Sequence, residues 1–161
     1  MNTTYPHRLL LATGIGSAGL LSGALFFQYV MGLAPCEICI WQRVPHGVVV
    51  VLVVGSFVQP SLPPAVTSAM VCFTLFVSVG LGFFHVGVEQ GWWASVTECA
   101  APATVISDPL KMVDALAAIP LIRCDIVPWS LFGGSMATYN AILSLLLSVV
   151  AVLVTYRHIR G

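Results

Sequence analysis

Val44 to Val88 reads VPHGVVVVLVVGSFVQPSLPPAVTSAMVCFTLFVSVGLGFFHVGV, without one Asp, Glu, Lys or Arg. A bilayer core takes about 20 apolar residues per helix, so this stretch has room for two spans placed back to back. Gln59-Pro60-Ser61-Leu62-Pro63-Pro64 breaks it near the middle, and a proline cluster ends a helix because it lacks N–H donors and crowds the preceding turn. The reading is a tight hairpin of two transmembrane helices, over about 44–58 and 65–88. Pro45 fits best in a first helical turn, which puts Cys36 to Arg43 at or just outside the N-terminus of the second span.

On either side the same test finds two more spans. Leu9 to Val30 is 22 residues without a charge, and Met136 to Tyr156 is 21 residues rich in Leu, Val and Ala that run out into Arg157, His158 and Arg160. Composition agrees: of 161 residues, 58% are hydrophobic and 7% charged, where a soluble domain carries roughly a quarter charged. Mean hydropathy is +0.99, and a chain this apolar cannot stay solvated as a disordered coil. Six Lys+Arg balance six Asp+Glu, leaving no excess of cations to neutralise phosphates, so no nucleic-acid partner is expected. The expected fold is an all-α membrane protein, a four-transmembrane-helix bundle forming one domain over 1–161. Leu33-Ala34-Pro35-Cys36 has the look of a lipoprotein cleavage site. The apolar run before it exceeds a signal peptide's about 7–15 residues, and Pro35 is a poor neighbour for cleavage, so the first span is read as retained.

Four spans place both termini on one side and two loops, about 31–43 and 89–135, on the other. All six acidic residues (Glu37, Glu89, Glu98, Asp108, Asp114 and Asp125) fall in those loops. The basic residues tie, with Arg8, Arg157 and Arg160 at the termini and Arg43, Lys111 and Arg123 in the loops. Those at the termini are immediately juxtamembrane, which favours cytoplasmic termini. Trp92 and Trp93 fall where an interfacial aromatic belt would sit. Ser107-Asp108-Pro109 opens a short amphipathic helix with Leu110, Val113, Leu116 and Ala117 on one face. That helix would lie on the bilayer surface or pack on its own domain.

Four of the five cysteines lie in the two loops: Cys36, Cys39, Cys99 and Cys124. An even set of loop cysteines opposite cytoplasmic termini fits an oxidising compartment. Cys36-Glu37-Ile38-Cys39 is a C-x-x-C, a spacing that closes a small, reducible disulfide. Cys99 and Cys124 can close the long loop. Both pairs could be inert staples, yet bridging residues so close in sequence restrains almost no chain entropy, so stability explains the C-x-x-C poorly. Four thiolates could also hold zinc, although the second pair lacks the close spacing of a zinc ribbon. Cys72, in the third span, reads as a small core hydrophobe.

Cys39 lies near a helix N-terminus and Arg43 follows four residues later, and both features favour a thiolate. Arg43 could serve as an interfacial anchor or hold negative charge on a redox partner beside it. The sequence has no Rossmann glycine fingerprint, no haem-attachment motif and no metal-ligand cluster. A lipid-soluble electron acceptor would reach the thiols from within the membrane.

These residues resemble the DsbB family of disulfide bond formation proteins of the bacterial inner membrane. The resemblance is carried by Pro35-Cys36-Glu37-Ile38-Cys39 with Gln42-Arg43, and by Gly87-Val88-Glu89-Gln90-Gly91-Trp92-Trp93 before Cys99. It continues through Cys124-Asp125, Trp129-Ser130-Leu131-Phe132-Gly133-Gly134-Ser135-Met136 and Asn140. The family implies an enzyme, a protein-dithiol:quinone oxidoreductase. A periplasmic DsbA-like dithiol protein would attack the Cys99–Cys124 disulfide, exchange would carry the electrons to Cys36–Cys39, and Cys39 would pass them to ubiquinone or menaquinone beside Arg43. His85 falls where the family places a polar residue near the quinone; the plainer reading is an interfacial histidine satisfied by its neighbours. Gly134 and Tyr139 depart from the family's usual Leu and Trp. Two other readings stand beside this one. A vitamin K epoxide reductase-like enzyme carries its quinone-side C-x-x-C in a late span rather than a first loop, and a disulfide-stapled or metal-binding membrane scaffold would keep its cysteines in one state.

Overall fold

The computed structural model describes residues 4–59, 63–95 and 123–160. Within them run α1 (Thr4–Tyr29), α2 (Glu37–Val58), α3 (Pro64–Glu89), a two-stranded hairpin of β1 (Ser130–Leu131) and β2 (Gly134–Ser135), and α4 (Met136–Arg160). Cys99 and the amphipathic helix expected after Ser107 lie outside the described residues. All four helices are long and apolar enough to cross a membrane. At 22 to 26 residues each they extend about 33–39 Å, enough for a hydrocarbon core of about 30 Å.

One boundary differs from expectation in a way that matters for the site. α2 begins at Glu37 rather than at Val44, so Pro45 lies inside the helix instead of in its first turn. Two local features start the helix early. Glu37 places an acidic side chain in the first turn, where it complements the helix dipole, and the Cys36 sulfur accepts a hydrogen bond from the Cys39 N–H at 3.3 Å, the task an N-cap oxygen ordinarily performs. Pro45 leaves one carbonyl of the preceding turn without its usual donor, a defect that membrane helices absorb through their neighbours, and it is buried in the bundle. Cys39 and Arg43 are therefore on regular helix, four residues apart on one face.

Each helix contributes to the core at the end away from Cys36, Cys39 and Cys124: Leu10 from α1, Val49 and Val53 from α2, Val71 and Leu75 from α3, Ala151 and Val154 from α4. Cys72 packs against this cluster, half-buried. Large apolar side chains on the outer faces stay exposed, Phe73 at 72% for example, as expected when lipid rather than water is the surrounding solvent. Gly82 lets α3 approach the backbone of α4 at Ala141, the close crossing that small residues provide in membranes.

The hairpin precedes α4 and shapes the cysteine end. Leu131 pairs with Gly134 and Ser130 with Ser135, leaving Phe132-Gly133 as a two-residue turn with φ of 47° and 82°, the left-handed pair that a type I′ turn requires. The Tyr139 hydroxyl donates to Leu131 O at 2.7 Å. Ser135 Oγ accepts from the Thr138 N–H at 3.1 Å and so caps α4. Trp129 packs on Phe27 of α1, ring centroids 4.8 Å apart.

Candidate active site

The cap that starts α2 also builds the thiol pair. Cys36 is 5% exposed, and its thiol donates to the Cys39 sulfur at 3.0 Å. That bond, followed by burial, pushes the Cys36 thiol from its ordinary 9.0 up to about 12, with His85 pulling the other way. The pair is thus divided, with the proton on Cys36 and Cys39 as the hydrogen-bond acceptor. Cys124, 1% exposed, lies in the same buried cluster with Cys36, Ile38 and Val88, and Cys39 and Phe84 pack on it. Residues from the first loop, from α3 and from the end of the second loop therefore meet around sulfur.

His85 is buried and is satisfied by its neighbours. It is 3% exposed, its Nε2 lies 3.6 Å from Cys36 Sγ, and it is not among the residues that border the apolar cavity described below. The Gln42 amide nitrogen reaches both His85 Nδ1 at 2.9 Å and Leu81 O at 3.5 Å. The carbonyl fixes that amide as a donor, so Nδ1 accepts and Nε2 carries the ring proton toward sulfur. Glu89, one turn on, has a carboxylate oxygen 3.9 Å from the same Nε2 and accepts from Ser135 Oγ. Gln42, His85, Glu89 and Ser135 thus tie α2, α3 and the cap of α4 together. Of these four, His85 is the one the sequence marks as a site residue; Gln42, Glu89 and Ser135 stand there only as parts of longer motifs.

On the other side of α2, Cys39 and Arg43 border an apolar cavity of about 320 Å³ between α1, α2 and α4, walled by Phe27, Leu33, Trp129 and Leu143 among others. The Arg43 guanidinium crosses to α1, donating to Gln28 Oε1 and to Ala24 O, while its Nε is buried with no hydrogen-bond partner. His46 and Asn140 border the cavity as well; the sequence marks neither as a site residue, although Asn140 belongs to the stretch that carries the family resemblance. Cys36, Cys39 and His85 also place their ligand atoms within 4.8 Å of one another.

Four spanning helices with a capped thiol pair, a third buried cysteine beside it and an apolar cavity at one of the thiols define a multi-pass membrane protein built for thiol–disulfide chemistry. The family model "Disulfide bond formation protein DsbB" matches residues 6–154, and the chain belongs to that family, whose members are disulfide-forming oxidoreductases. It is similar to the disulfide bond formation protein B of Verminephrobacter eiseniae (29% identical over 97% of this chain and 89% of that one). The Stutzerimonas stutzeri protein of the same name is 28% identical over 87% and 88%, and that of Xylella fastidiosa strain Temecula1 24% identical over 86% and 83%. No solved structure gave a significant match.

Proposed function

We propose that this protein is a protein-dithiol:quinone oxidoreductase of the bacterial inner membrane, with both termini cytoplasmic. It would take two electrons from a periplasmic DsbA-like dithiol protein and deliver them to ubiquinone or menaquinone. The observation that carries the reading is the pairing of Cys39 with Arg43 on one wall of an apolar cavity. The cavity volume lies within the range of small-molecule sites, about 300–1,000 Å³. Arg43 Nε is buried and unpartnered, a donor suited to a carbonyl oxygen. Cys39, Arg43 and the apolar walls would hold the ring. A quinone supplies a two-electron, two-proton acceptor soluble among acyl tails.

The chain's own residues account for the remaining chemistry. A thiolate of the partner attacks the Cys99–Cys124 disulfide; the mixed disulfide is resolved by the partner's second thiol, which leaves the partner oxidised and this pair reduced. The Cys99 and Cys124 thiols then reduce the Cys36–Cys39 disulfide by exchange, the outer disulfide closing again as the inner one opens, and the burial of Cys124 in one cluster with Cys36 favours it. His85 N–H stabilises Cys36 as it leaves with negative charge. The Arg43 guanidinium favours the thiolate of Cys39 and the negative charge that develops beside it.

The Cys36, Cys39 and His85 cluster also supports a second reading, a metal site. Two thiols and an imidazole would supply three of zinc's four ligands, but such a site leaves the apolar cavity beside Cys39 and Arg43 without a role, so the first reading is preferred. Anaerobic reconstitution of the purified chain with ubiquinone or menaquinone and a reduced DsbA-like protein decides between them. One quinol should form per partner disulfide. Stoichiometric zinc on the cysteines, or a thiol state indifferent to quinone, would overturn the proposal.

A further inference from the structure

One helical turn deeper than Arg43, a second polar group borders the same cavity. His46 follows Arg43 by three residues on α2, about 4.5 Å along the axis, and is buried. Its Nδ1 is 3.3 Å from Ser17 Oγ on α1, and its Nε2 is 3.1 Å from Asn140 Oδ1 on α4. Ser78 Oγ and Ser144 Oγ lie 3.1 and 3.3 Å from the same Nε2. An ionisable side chain inside a membrane bundle reads first as functional.

The hydrogen bonds assign the amide. Nε2 faces the Asn140 Oδ1 acceptor and so carries the proton, which leaves Nδ1 to accept from the Ser17 hydroxyl. The carboxamide is held with its carbonyl toward His46 and its NH₂ turned away, and that Nδ2 is buried with no hydrogen-bond partner. Among the described residues, Arg43 Nε and Asn140 Nδ2 are the two buried side-chain donors without a partner that belong to residues bordering the cavity. A buried donor left unpaired is unfavourable until an acceptor arrives. Both belong to residues that border the apolar cavity, and a flat ring carrying two carbonyl acceptors would offer each a partner.

We propose that Asn140 is a ligand-binding residue, donating from Nδ2 to one carbonyl of the quinone while Arg43 serves the other, and that His46 is a positioning residue that fixes the Asn140 amide. This rests on the quinone reading above. It extends that reading to a second anchor, and it predicts a preference for the oxidised ring, whose carbonyls are better acceptors than the hydroxyls of the reduced one.

The test is equilibrium binding of decylubiquinone to the full-length chain in detergent, followed by quenching of tryptophan fluorescence. Asn140→Leu should weaken binding about three- to tenfold. His46→Leu should do the same, whereas His46→Gln, which keeps an N–H donor, should recover most of the loss. Thiol–disulfide exchange with a reduced dithiol partner, measured without quinone, should be unchanged in all three. A measurement on the unmodified protein stands independently of folding in the variants: both carbonyl bands of ¹³C-labelled decylubiquinone should shift to lower frequency on binding. No binding to the unmodified protein would overturn the quinone reading itself. Binding to Asn140→Leu as tight as to the unmodified protein, or one carbonyl band left at its free position, would overturn the role of Asn140 alone.

Discussion

His85 Nε2 and Cys36 Sγ face one another at 3.6 Å across the junction of α3 with the start of α2. Because Gln42 occupies Nδ1, the ring presents N–H, not a lone pair, to sulfur. A hydrogen bond to a charged group is worth about 1.5–3 kcal/mol, so His85→Leu should slow the exchange steps in which Cys36 departs as a thiolate by about 10- to 100-fold. Stopped-flow reduction of the Cys36–Cys39 disulfide would show it. An unchanged rate would reduce His85 to a packing residue.

The ionisation of Cys36 supplies a separate test, since its thiol is raised from 9.0 to about 12 chiefly by its bond to Cys39. A raised value means the folded state holds the proton more tightly than the unfolded one. The associated stability is full below pH about 9 and is lost as pH climbs through about 12. Alkylation of Cys36 in the reduced protein should accordingly inflect near 12, and Cys39→Ala, which removes the leading cause, should bring the inflection back toward 9.0. Mass spectrometry of the modified peptide against pH reads both.

The four spans were legible because charge is so strictly excluded from them, and the termination of α2 because Pro60, Pro63 and Pro64 crowd one short stretch. The start of α2 was obscured for a physical reason: a cysteine sulfur does the capping in place of the usual Ser, Thr, Asp or Asn. Glu37 was the available signal. The contact of His85 with Cys36 and the network of Ser17, His46, Ser78, Asn140 and Ser144 were not legible, since their members come from different helices and share no local spacing. Only the packing of the bundle brings them together.

Arg43 offers a direct probe of the cavity. Arg43→Ala should lower quinone turnover about 10- to 100-fold, the loss of a charge-assisted hydrogen bond, while exchange with the dithiol partner stays intact. Arg43→Lys should not rescue it, because an ammonium on a flexible stem reproduces neither the Nε donor nor the guanidinium's reach to Gln28 and Ala24. Equal losses in turnover and in partner exchange would move Arg43 from the cavity chemistry to general support of α1 against α2.

Gly87 sits beneath the Trp93 indole, and a β-carbon there would overlap the ring. Trp93 is held by its N–H to Phe84 O at 2.9 Å and by stacking on Phe84. Gly87→Ala must push the indole away, at a cost of about 1–3 kcal/mol. Because Phe84 and Val88 pack on the cysteine cluster, the damage should reach the site: lower thermal stability together with a shift in tryptophan emission. Gly80, whose β-carbon position meets nothing within 4 Å, gives the control, and Gly80→Ala should leave both unchanged.

The burial of Cys124 predicts which outer cysteine would meet the proposed partner. Cys124 is 1% exposed and is enclosed by Cys36, Ile38 and Val88, so a thiolate carried on another protein cannot approach its sulfur along the line that disulfide exchange requires. The same enclosure sets Cys124 against the inner pair. The mixed disulfide with a DsbA-like protein should therefore form through Cys99, with Cys124 as the thiol released inward. Using a partner that lacks its resolving cysteine, Cys124→Ser should still be trapped as a covalent complex once activated at Cys99 by a mixed disulfide with a small thiol, and Cys99→Ser activated the same way at Cys124 should not. Trapping through Cys124 with comparable yield would mean that the cluster opens during turnover, and the route from outer to inner pair would have to be redrawn.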